Sequence, residues 1–340
     1  MDYKEVCDTA RKIFDGHCSV CPVCNGKACG NRVPGPGCKA PGQTAARNYD
    51  KWQEILLNMD TICANDTPDT QYDLFGKTFR YPFFAAPIGG LKMHYGGELT
   101  DVTYNNLLIP GCYEAGIAAF TGDGVDPEVM INAAKDSQLV DGIGIPTIKP
   151  WNIEAVQEKL DILNKTNIFA VAMDIDGAGL PFLKALNPNA GSKPVEELQQ
   201  IIQYTDKPFI LKGIMTVKGA EKAVAAGAKA IVVSNHGGRV LGSCPGTAEV
   251  LPEIVDAVGK DVTILVDGGI RSGTDIFRAL AVGADAVLIG RPFVPAVYGG
   301  GKEGVRLLVE KLAAELKDTM TMCGAHSLEE ISRDMIRFAK

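Results

Sequence analysis

Eight short runs, each apolar along almost its whole length, recur through the chain between segments of helical pattern: PFFAAP (82–87), GIAAFT (116–121), DGIGIP (141–146), IFAVAMDI (168–175), PFILKGI (208–214), AIVVSN (230–235), VTILVDGG (262–269) and AVLIGR (286–291). A strand with one wet face alternates apolar and polar residues. Strands without that alternation are covered on both faces, as in a parallel sheet flanked by helices. EKAVAAGAKAIVVSN (221–235) and FRALAVGADAVLIGR (277–291) share a Gly-Ala-x-Ala step before the strand, and YEAGIAAFT (113–121) is a shorter echo. In each, a glycine able to take a left-handed conformation ends a helix, and a strand follows. Eight such units predict a closed (β/α)8 TIM barrel. An open doubly wound sheet is the competing arrangement; the barrel is preferred because the strands number eight and chemistry-bearing residues follow several of them.

The 340 residues carry a net charge of −7 with no basic stripe, which argues against a nucleic-acid partner. No apolar run is long enough to cross a bilayer, and the mixed, charged N-terminus has no apolar segment of signal-peptide type. A cytoplasmic protein with no membrane partner is expected. Ten cysteines in that setting suit thiols or metal ligands better than disulfides. The chain divides into a short cysteine-rich N-terminal extension, residues 1–45, and a barrel, residues 46–340. Residues 44–60, TAARNYDKWQEILLNMD, read as one helix.

In such a barrel, the C-terminal ends of the strands carry the site. Gly268 and Gly269 follow the seventh run, then Arg271 and a helix opening near Ser272. Gly290 and Arg291 follow the eighth. Glycines let backbone amides approach an anion, a helix N-terminus favours negative charge, and arginine grips phosphate through two bonds; together they predict a phosphate site. Lys212 lies inside an apolar strand. It must find a buried partner or face a ligand that gains negative charge. Asp174 and Asp176 end the fourth run; alternation directs one of them inward, and Asp176 is favoured as the partner of a histidine. His236 leaves the sixth strand as a candidate base. Gly237 and Gly238 leave room for a planar ligand, and Arg239 offers a fork to a carboxylate.

SNHGGRVL, PFILKGI, VDGGIRSGTDIFRALAVGADAVLIGRP and LKDTMTMCGAHSLEEISRDMI resemble the FMN-dependent α-hydroxy-acid oxidase/dehydrogenase family, from about Ala45 to the C-terminus. The resemblance implies FMN at the strand mouths of a (β/α)8 barrel. Ala86, Pro87 and Ile88 would pack on the flavin ring, Thr121 would touch it, and Ser234 and Asp174 would lie nearby. Lys212 would stabilise the reduced flavin, and Asp267, Gly268, Gly269, Arg271, Gly290 and Arg291 would hold the ribityl phosphate. It further implies oxidation of a 2-hydroxy acid such as lactate to a 2-oxo acid, with His236 as base, Asp176 steadying it and Arg239 on the carboxylate. The electron acceptor is left open, and a homo-oligomer, a tetramer, is expected. Several positions depart from the family pattern. GIPTIKPW has Gly144 and Pro146 where Gln and Tyr would fall, RVPGPG replaces a second tyrosine, and DGAGLPFLKAL lacks a further arginine. These departures keep two alternatives in play: a flavin-dependent isomerase of the isopentenyl diphosphate isomerase type, and a non-catalytic FMN/thiol redox sensor.

In CSVCPVCNGKAC, Cys18, Cys21, Cys24 and Cys29 have the spacing Cys-x2-Cys-x2-Cys-x4-Cys. Four thiolates this close suit zinc or an iron–sulfur cluster; reduced structural thiols are the alternative. Cys63, Cys112 and Cys323 read as small core residues.

Overall fold

A computed structural model describes residues 1–339, apart from the side chains of Pro181 and Phe182. Each predicted run forms a strand: β1 (Phe83–Ala85), β2 (Ala119–Thr121), β3 (Gly144–Ile148), β4 (Val171–Asp174), β5 (Phe209–Ile214), β6 (Ala230–Val233), β7 (Thr263–Val266) and β8 (Ala286–Ile289). Neighbours in sequence pair in parallel, and β8 pairs with β1, so the sheet closes into a barrel without edges. The strands are buried on both faces, as their composition requires. The repeat glycines do what the sequence predicts: Gly116, Gly227 and Gly283 take φ of +80°, +94° and +120° where helices stop before β2, β6 and β8.

Four helices position the site. α1 (Tyr3–Ile13) opens with a reciprocal Asp2–Glu5 capping box and buries Val6 and Ala10. α2 is Thr44–Gln53, α3 is Gly273–Val282 with Ser272 as its N-cap, and α4 is Phe293–Cys323, broken at Gly301. The expected helix over 44–60 is shorter than predicted. It stops at Gln53, and Ile55–Leu57 instead forms a strand antiparallel to Ile336–Phe338 at the other end of the chain. A partner so distant in sequence overrides local helix propensity. Cys112 and Cys323 are buried as expected, whereas Cys63 is exposed.

Candidate active site

β4 ends at Asp174, and the chain turns immediately into a short 3-10 helix, Ile175–Gly179. Strict alternation would send one carboxylate inward. The turn breaks it, and both reach His236: Asp176 Oδ1 lies 2.9 Å from Nδ1, and Asp174 Oδ2 lies 4.0 Å away. Burial works against the Asp176 charge, but His236 and Lys212 outweigh it and hold the carboxyl below the ordinary range. Asp174 is buried, with Oδ2 in an ion pair with Lys149, just after β3, and Oδ1 without a hydrogen-bond partner.

Lys212 is nearly inaccessible on β5, and its ammonium donates to Ser234 Oγ at 2.9 Å and stands 3.4 Å from Asp267 Oδ2. Burial opposes its charge, yet Asp267, Asp176 and Asp174 together raise its pKa above the ordinary lysine value. Ser234 Oγ also accepts the His236 backbone N–H at 3.1 Å. That contact fixes His236 at φ +56°, an uncommon conformation for a residue with a side chain.

The arginines gather at the mouth, each held by the N-terminal extension. Arg239 Nη1 donates to the carbonyls of Gly35 (2.8 Å) and Gly37 (3.0 Å). Arg291 donates to Pro36 and Gly237, and Arg271 Nε donates to the Cys24 carbonyl at 2.7 Å. Two expectations are corrected here. Gly238 does not open space for a planar ligand: its φ is left-handed, and a Cβ on it would lie 2.9 Å from Cys38 and Thr44, so the extension packs on it. Gly237, also left-handed, lines the cavity beside Arg291. The N-terminus of α3 is also not free for phosphate. Asp275 accepts the amides of Arg271 and Ser272, and Glu315 accepts that of Gly273. The anion-binding groups that remain are the Gly268–Gly269 turn, Gly290 and the two guanidinium groups.

Helix α2 braces this turn. Trp52 Nε1 donates to the Gly268 carbonyl at 2.8 Å, and Asn48 exchanges hydrogen bonds with Asn235. Sequence reasoning passed over both, and also His94 and Tyr95, which line the cavity with Ala86, Pro87 and Ile88. Burial and nearby Arg239 lower the pKa of His94 to about 4. Its Nδ1 accepts the Gly35 amide at 3.0 Å, so His94 is a further anchor for the extension. Cys18, Cys21, Cys24 and Cys29 line a separate cavity of about 580 Å³. Among the described residues, only Asp174, Asp176 and His236 bring three ligand-type groups within 4.8 Å of one another, so the sulfurs do not converge as tightly as a mononuclear site requires.

A parallel barrel whose mouth joins a buried lysine, an imidazole–carboxylate pair, a glycine turn and three arginines defines an α/β-barrel enzyme built around an anionic ligand. The family model for FMN-dependent dehydrogenases matches residues 36–121 and 161–338, so the chain belongs to that family. It is thereby an FMN-dependent oxidoreductase acting on CH–OH groups. A peroxisomal (S)-2-hydroxy-acid oxidase of Oryza sativa subsp. japonica is 45% identical over 327 residues, covering 86% of this chain and 87% of that protein. An L-lactate dehydrogenase of Pseudomonas putida (strain GB-1) is 48% identical over 141 residues, 42% of this chain and 37% of that protein. A crystal structure of mandelate oxidase superposes with a TM-score of 0.78 at 25% identity, covering 99% of this chain and 97% of that one. The unmatched stretches hold both the four spaced cysteines and the β3 segment where the tyrosine is replaced.

The residues present fit FMN. Thr121 Oγ1 and Asp267 Oδ1 are buried without a hydrogen-bond partner, and Lys212 is a buried cation on the same rim. The mouth encloses about 120 Å³. A ligand of nucleotide size fills roughly 300 Å³ or more and so extends beyond this enclosed part of the mouth.

Proposed function

We propose that the protein oxidises a 2-hydroxy acid to a 2-oxo acid, with His236 as base and Arg239 as the carboxylate clamp. The observation that carries this reading is the His236–Asp176 contact at 2.9 Å on a residue lining the flavin cavity. Facing a carboxylate, Nδ1 carries the proton and donates it, which leaves Nε2 as the free base of the ring. A proton taken from the substrate at Nε2 makes the ring cationic, and the Asp176 carboxylate stabilises that cation. Arg239 exchanges the Gly35 and Gly37 carbonyls for the two oxygens of the substrate carboxylate, a charge-assisted pair in place of neutral acceptors.

Bound FMN supplies the two-electron acceptor. Lys212, kept cationic by Asp267 and oriented by Ser234, provides fixed positive charge at the ring, while Gly268, Gly269, Arg271, Gly290 and Arg291 receive the phosphate. Anaerobic bleaching of the flavin absorbance by a panel of 2-hydroxy acids tests this. Reduction by at least one member, abolished in His236→Ala, supports the reading. No reduction by any member, with turnover of an allylic diphosphate, would replace it with the isomerase. No turnover, with a thiol-dependent change of state, would replace it with the sensor.

A further inference from the structure

We propose that Cys18, Cys21, Cys24 and Cys29 hold a cuboidal iron–sulfur cluster beside the phosphate end of the flavin cavity. The four thiols lie on one loop and line a single cavity of about 580 Å³. That cavity and the flavin cavity share three lining residues: Tyr95, Arg271 and Arg291. The loop and the barrel are also bonded directly, through Arg271 Nε and the Cys24 carbonyl.

Three further observations point to a bound centre. First, the loop has almost no core. Between His17 and Pro34 only Val20 and Gly26 are buried, and the segment contains turns and bends but no helix or strand. A segment with so little apolar burial needs another source of order, and ligation by metal is a common one. Second, the spacing of the sulfurs favours a cluster over zinc. Sulfurs about 2.3 Å from one tetrahedral zinc lie within about 4 Å of each other. In a cubane each thiolate binds a different iron, so the sulfurs stand farther apart. Here no three of them fall within 4.8 Å of one another, and all four line one cavity. Third, the charge is complementary. Lys4, Arg11, Arg271, Arg291 and Lys311 line the cavity against Asp8 and Asp275, so the lining is net positive. A cluster with four thiolates is anionic and suits such a lining.

Cys38 is outside the set. It is buried, and its sulfur donates toward the carbonyls of Gly30 and Gly42 and Asn31 Oδ1.

The test is anaerobic purification of the full chain, with FMN, iron, acid-labile sulfide and zinc counted in the same sample. About four irons and four sulfides per chain are expected for a cubane, with a paramagnetic signal after dithionite reduction. Cys21→Ser and Cys24→Ser should cut the iron content at least tenfold while FMN stays stoichiometric, and Cys38→Ser should leave iron unchanged. One zinc per chain, or four thiols freely titrating with Ellman's reagent and no metal, would overturn the proposal. So would iron that survives both cysteine variants. Should those variants fail to fold, the wild-type iron and sulfide count decides alone. The FMN count is independent, so loss of flavin with iron retained would count against the flavin reading and not against the cluster.

Discussion

Asp176 Oδ1 lies 2.9 Å from Nδ1 of His236, and the two residues follow β4 and β6, on either side of β5, and meet because the chain turns directly after β4. Asn in place of Asp176 can present its amide to Nδ1, which reverses the ring's tautomer and protonates Nε2. Asp176→Asn should lower kcat by roughly 10²–10⁴-fold with FMN content unchanged. Stopped-flow measurement of flavin reduction checks this; a rate within a factor of three of wild type would remove Asp176 from the mechanism.

Arg239→Lys keeps the charge and loses the fork. KM for the 2-hydroxy acid should rise by about tenfold or more, with a smaller change in kcat. The same variant gives up the paired contacts to Gly35 and Gly37, so trypsin should cleave the 27–39 segment faster than in wild type. Unchanged KM would show that the carboxylate binds elsewhere.

Lys212 offsets Asp267, and in part Asp176 and Asp174, inside the barrel. Lys212→Met leaves those carboxylates uncompensated, and loss of one partner of a buried pair costs about 3–5 kcal/mol. Urea unfolding of the variant should reveal a loss of that order, and Lys212→Arg, which keeps the charge, should recover part of it.

His94 gives a pH dependence of defined sign. An unfolded histidine titrates near 6.5, whereas burial and Arg239 lower His94 to about 4 in the fold. Between those values the unfolded chain takes up a proton that the folded chain refuses. Stability from His94 is therefore fully present above about pH 6.5 and declines as pH falls toward 4. His94→Gln should lose less stability than wild type between pH 7 and pH 4.5. Parallel unfolding profiles for the two proteins would contradict the assignment.

The barrel was legible because its signal is local. Uniformly apolar runs, the glycines before β2, β6 and β8 and the Ser272 cap each act within a few residues. The positions of Lys212, His236 and Asp267 followed from being at strand ends. What escaped were pairings between distant segments. Lys149 finds Asp174 only once β3 and β4 lie side by side, and Ile55–Leu57 becomes a strand only against Ile336–Phe338. Trp52 and Asn48 looked like ordinary helix residues until α2 docked against the β7 turn. The acceptors for the arginines left no trace at all, because a backbone carbonyl is common to every residue type.

That last point changes what mutation can do to the barrel's entrance. Since main-chain oxygens occupy the Arg239 and Arg291 forks, no side-chain exchange in residues 35–37 can erase an acceptor; it can only displace one. Gly37 has nowhere to go, for a single methyl group there would stand 2.3 Å from the Gly30 carbonyl oxygen. The smallest possible change at this position would thus loosen the whole plug, whereas the exposed side chain of its neighbour Arg32 can change without displacing an acceptor.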